Sequence, residues 1–133
     1  MVGMCRGVPF SFQVLTERSY SMKYRIVLAS GSPRRKEILA GIGASYDVIV
    51  SDCDESTTVT EPAELVKELS GRKAEAVAKD LTGPVLVIGA DTVVAYNGSI
   101  LGKPKDRADA KRMISMLADD VHQVYAGVCL IIK

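Results

Sequence analysis

Residues 24–41 read YRIVLASGSPRRKEILAG. Tyr24 to Ala29 is a short apolar run and reads as a buried strand. Ile38, Leu39 and Ile42 then fall at helical spacing, and the spacing predicts a helix over 33–40. Ser32 is a natural N-cap, and Pro33 suits the first helical turn, where its missing N–H costs nothing. A strand therefore ends, the backbone turns at Gly31 and a helix begins. Free backbone N–H groups at such a helix start make a ready anion site. Arg34 and Arg35 occupy the first turn, where each cation is unfavourable by about 0.3–1 kcal/mol beside the positive end of the helix dipole. A bound phosphate chain would reverse the sign of that cost. Arginines that point into solvent or pair with a carboxylate would also account for the pattern.

The 133 residues are 47% hydrophobic and 25% charged with a formal net charge of +1, which fits one soluble globular domain. That balance, with only 5% aromatics, gives no reason to expect nucleic acid or an anionic membrane as partner. No apolar stretch approaches the length of a transmembrane helix. Cys5, Cys53 and Cys129 are odd in number and lack metal-ligand spacing, so free thiols in a reducing cytoplasm are expected. The lone His122 cannot anchor a multi-histidine metal site.

Residues 1–21 show no clear period, and Met22 stands directly before the first strand. An extension over 1–21, dispensable to a domain over 22–133, is the expectation. Tyr46 to Val50 reads as a second strand that runs into the acidic cluster Ser51-Asp52-Cys53-Asp54-Glu55. Carboxylates just beyond a strand can hold a hard cation such as Mg²⁺, and an ordinary solvated loop has the same composition. Thr60 or Glu61 caps a helix with Leu65, Val66 and Leu69 on its apolar side; Ser70-Gly71 is expected to interrupt it before 72–81 resumes. Val85 to Tyr96 is nearly all apolar, as expected of a strand covered on both faces. Asp91 stands inside it, costly unless paired, hydrogen-bonded or bound to metal. Its carboxylate is read as functional, against satisfaction by Thr92 and backbone N–H groups at a bend marked by Gly89. Asn97-Gly98 reads as a tight hairpin turn into a short strand at 99–101. Asp106 caps a helix with Ala110, Met113, Ile114 and Leu117 as its inner stripe. Val121 to Ile132 closes the chain as a long strand with nothing after it to cover a bare face or an exposed edge.

Together these pieces resemble the Maf family of nucleoside triphosphate pyrophosphatases, also called septum-formation-inhibitor proteins. The resemblance runs in register through LASGSPRRKEIL at 28–39, Asp54-Glu55, Lys73-Ala74, GADT at 89–92 and Gly102-Lys103-Pro104, and more loosely through HQVYAGV at 122–128. It implies an elongated α/β fold, with a twisted mixed β-sheet flanked by helices and a cleft between two lobes. It implies hydrolysis of a nucleoside triphosphate to the monophosphate and pyrophosphate with a divalent cation, Mg²⁺ or Mn²⁺. By that resemblance Asp91 is the catalytic proton acceptor and a metal-side group, and Glu55 is a second carboxylate, metal-side or catalytic. Ser30, Arg34, Arg35, Lys73 and Lys103 lie on the phosphate side, with Ser32 and Thr92 completing the substrate-binding set. Arg34 and Thr92 together look like the dTTP/UTP branch rather than the 7-methyl-GTP branch. The family's domain continues well past residue 133, with a glutamine tied to specificity, so the C-terminal part is expected to be missing. A catalytically inactive, truncated chain that binds nucleotide or a protein partner in cell-division control is the alternative expectation. Such a chain leaves room for a homodimer.

Overall fold

The computed structural model describes residues 24–133, so the expectation for 1–21 lies outside the described residues. Their order is β1 (Arg25–Leu28), α1 (Pro33–Gly41), β2 (Asp47–Val48), α2 (Pro62–Ala78), β3 (Val85–Tyr96), β4 (Ser99–Leu101), α3 (Arg107–Leu117) and β5 (Gln123–Ile132). The five strands form one mixed sheet. β1 lies parallel to β2 and to the first third of β3, with Arg25 opposite Val85 and Leu28 opposite Ile88. The Asn97-Gly98 turn has both residues at positive φ, +48° and +74°, the conformation that closes a two-residue hairpin and brings β4 back against 94–96. β5 runs antiparallel along nearly all of β3, from Leu86 opposite Ile132 to Ala95 opposite Gln123.

β3 is the spine of the domain, and its alternation divides the molecule. Its odd residues face α2. Val27, Ala29, Ala74, Val77, Ala78, Val85, Val87 and Cys129 make the buried core on that side. α2 lies very close to the sheet because two glycines permit it. A Cβ on Gly89 would stand 2.8 Å from the Ala74 backbone nitrogen and Cβ, and closer still to the Ser70 carbonyl oxygen. A Cβ on Gly127 would stand 3.0 Å from the Val66 Cβ and closer to the Val66 carbonyl. The end of α2 is fastened by Lys133, whose ammonium donates to the Ala78 and Leu81 carbonyls at 2.9 Å each.

The structure departs from the sequence reading in three places. α2 is not broken at Ser70-Gly71. The Ser70 hydroxyl donates to the Lys67 carbonyl at 3.0 Å and the residue is buried with its backbone carbonyl against Gly89, while Gly71 faces open space. Close packing on one side thus outweighs the weak helix propensity of the pair. β2 shrinks to Asp47–Val48, while the Tyr46 hydroxyl donates to the Lys36 carbonyl and ties the strand to α1. On α3, capped as expected by Asp106, Ala110, Met113 and Leu117 are half-buried but Ile114 is 69% exposed, since no described element covers that side. The last strand leaves Val124, Val128, Leu130 and Ile132 exposed on the face away from α2, as its pattern implied.

Candidate active site

With β5 filling one edge of β3, β1 and β4 share the other. β1 pairs with residues 85–88 and β4 with 94–96. Among the described residues no strand pairs with 89–93 on that edge, and the sheet is notched there. The notch lies at the carboxyl end of β1, where α/β sheets place their ligands. It opens into a cleft of about 500 Å³ lined by Ser30, Arg35, Glu55, Lys73, Asp91 and Lys103, among others.

One wall is the turn from β1 into α1. Ser32 takes the N-cap position with extended backbone, but its side chain makes no capping bond. Its N–H donates instead to the Ser30 hydroxyl at 3.3 Å, which also accepts from the Arg35 guanidinium at 2.9 Å. The other arm of Arg35 donates to the Thr92 hydroxyl at 3.3 Å. Arg35 is thus fixed across the mouth of the notch, with uncapped helix N–H groups beside it. Arg34 is not brought into the cleft: its side chain is 81% exposed and pairs with Glu37 at 3.4 Å. Of the two readings of the arginine pair, Arg34 follows the carboxylate pairing and Arg35 faces the cleft.

The opposite wall comes from α2 and the acidic loop. The Lys73 ammonium lies 2.6 Å from the Asp91 carboxylate and 3.4 Å from that of Glu55. Lys73 and Asp91 are nearly enclosed, with side chains 14% and 11% exposed, whereas Glu55 is 54% exposed. Burial by itself pushes the Lys73 pKa down. The hydrogen bond and charge of Asp91, with Glu55 behind them, outweigh it and hold Lys73 above the ordinary lysine value. Lys103, just past β4, stands exposed at the rim.

Two further residues shape the cleft without having stood out in the sequence. The Ser51 hydroxyl is buried on the lining and has no hydrogen-bond partner among the described residues. Arg72 donates to the Asp54 and Ser56 carbonyls, at 3.1 and 2.7 Å, and pairs with Glu68. It grips the chain on both sides of Glu55 and sets that carboxylate toward Lys73. Within the same turn the Ser56 hydroxyl and N–H hold Asp54 below the usual carboxylate range. Nothing in the spacing announces the grip of Arg72 on the loop, whose carbonyls lie 16 and 18 residues away.

An anion cradle at the carboxyl end of a parallel strand, set against a buried lysine–carboxylate cluster, defines the class: an α/β protein with a cleft suited to phosphorylated ligands. The chain belongs to the Maf-like protein family, whose model matches residues 25–133. It is 51% identical to the dTTP/UTP pyrophosphatase of Lachnoclostridium phytofermentans, over 83% of this chain and 56% of that protein. Identity to the enzyme of the same name from Agathobacter rectalis is 50%, over 80% of this chain and 58% of that protein. For the one from Clostridium novyi it is 46%, over 80% and 57%. The chain therefore spans little more than half the length of these relatives.

Proposed function

We propose that the cleft binds a nucleoside triphosphate, dTTP or UTP in the first place, and hydrolyses it to the monophosphate and pyrophosphate. The observation that carries this reading is that Arg35 and the Lys73–Asp91 pair face one cleft from opposite sides of β3. Relatives named dTTP/UTP pyrophosphatase support the choice of base. Arg35, Lys103 and the first N–H groups of α1 offset the charge of the triphosphate, about four units, and that building on the leaving pyrophosphate. Asp91 accepts the proton of a water as its oxygen bonds to the α-phosphorus and the bond to the bridging α–β oxygen breaks. Ser30 and Thr92 keep Arg35 in place, and Ser32 presents its backbone at the helix start.

Glu55 and Asp91 suit a hard divalent cation. Both are oxygen donors converging on one point, and the unpartnered Ser51 hydroxyl lies in the same cleft. Together with phosphate oxygens they would hold Mg²⁺ or Mn²⁺. The metal would supply charge neutralisation at the reacting phosphates.

The test is pyrophosphate release from dTTP and UTP in Mg²⁺, with GTP as comparison and Asp91→Asn beside the wild type. Release from the pyrimidine nucleotides should exceed that from GTP. Asp91→Asn should lose about a hundredfold or more in turnover while keeping nucleotide affinity. Normal turnover in a folded Asp91→Asn chain, or no nucleotide binding by the wild type, would refute the reading.

A further inference from the structure

The point on which Glu55 and Asp91 converge is filled by the Lys73 ammonium. We propose that this ammonium is a placeholder cation: it keeps the carboxylate pair closed to a free divalent metal and yields the pair when the metal arrives on a polyphosphate. The inference rests on the reading of the cleft as a nucleotide site and concerns how that site is loaded.

The argument is one of charge and ligand number. Two carboxylates and one ammonium leave the cluster with a single negative charge. A lone divalent ion would have to enter beside an ammonium already 2.6 Å from one of its ligands. Lys73 has no easy retreat into solvent, because its side chain is 14% exposed. The carboxylates are also too few to dehydrate a hard cation alone. Among the described residues no group of three or more His, Cys, Asp or Glu could hold a metal. Mg²⁺-type ions in such sites are completed by phosphate oxygens. A triphosphate brings those oxygens and about four negative charges, enough to hold both the metal and the displaced ammonium. The Ser51 hydroxyl on the same lining, without a hydrogen-bond partner among the described residues, is a further oxygen that could join them.

The experiment is a Mn²⁺ titration of the whole chain, read from the paramagnetic resonance signal of the free ion. It is done without added ligand, then with inorganic tripolyphosphate, then with a non-hydrolysable dTTP analogue. Wild type should bind free Mn²⁺ weakly and gain at least tenfold with either phosphate compound. Lys73→Met, which keeps about the length of the lysine's methylene stem and removes its ammonium, should bind free Mn²⁺ at least tenfold more tightly than wild type. Its melting temperature should fall in chelator and recover in Mn²⁺, as the metal replaces the missing cation. Equal Mn²⁺ affinity in the two chains would overturn the proposal. So would a Lys73→Met chain that stays unfolded in millimolar Mn²⁺, or a wild type indifferent to tripolyphosphate. If the analogue fails to bind while tripolyphosphate acts as expected, the nucleotide reading falls and the placeholder stands.

Discussion

Gly89→Ala adds one methyl group at the tightest approach in the molecule, and its effect can be worked from the geometry. The new Cβ would lie 2.8 Å from both the Ala74 nitrogen and its Cβ, and nearer to the Ser70 carbonyl oxygen. Ordinary carbon contacts begin at about 3.5 Å. α2 must therefore back away by at least roughly 0.7 Å, since two of the three obstructing atoms are backbone and cannot rotate aside. A gap of that size forfeits about a quarter to a half of the dispersion attraction at each loosened contact. Overpacking of this kind costs about 1–3 kcal/mol, and rigid neighbours place this case near 3 kcal/mol. For a domain of this size that lowers the melting temperature by about 12 °C, at about 4 °C per kcal/mol. Gly71→Ala is the matched control. It lies in the same helix with nothing within 4 Å of the new atom, and should gain about 0.5–1 kcal/mol from helix propensity alone. Thermal melts followed by circular dichroism would measure both. A Gly89→Ala chain melting within about 2 °C of wild type would refute the close-packing account of α2.

Arg35→Ala should weaken nucleotide binding more than Arg34→Ala, because Arg35 is tied to Ser30 and Thr92 inside the cleft while Arg34 pairs with Glu37 outside it; calorimetric titration with a dTTP analogue checks this, and equal losses would remove the distinction. The Lys105 N–H, then the Arg112 side chain, hold Asp109 below its ordinary value of 3.8. Its contribution to stability is therefore present above that value and lost as pH falls through the lower folded value. Urea melts of wild type and Asp109→Asn should differ at neutral pH and converge in acid; a gap that persists at pH 2 would contradict the sign.

Much of this was legible in the sequence because the signals are local. The strand–turn–helix at 24–41, the whole extent of β3, the Asn97-Gly98 hairpin and the Asp106 cap each depend on a few adjacent residues with one good conformation. Asp91 was conspicuous because a carboxylate inside an apolar run demands a partner, and Lys73 is that partner. What escaped is non-local. Whether Ser70-Gly71 breaks a helix depends on a glycine in a strand that follows it. The grip of Arg72 on the acidic loop depends on a turn that has no period. Which of two adjacent arginines enters the cleft depends on Ser30 and on Thr92, the latter 57 residues away. Ile114 lies on the apolar stripe yet stays exposed, because helical periodicity identifies a stripe and says nothing of how wide a surface is there to receive it.

The notch in the sheet edge has a consequence for which changes of chain length the protein can absorb. Asp91 and Thr92 are neighbours in sequence yet serve opposite faces, one reaching Lys73 on α2 and the other Arg35 on α1. Adding or deleting one residue between Val85 and Asp91 would exchange the two faces and disconnect both walls at once. No compensating substitution on a single helix could repair that. The same change in the exposed segment 102–106 would only alter the reach of Lys103. Length variation among functional variants should therefore gather on the far side of the hairpin and spare the strand that leads into the notch.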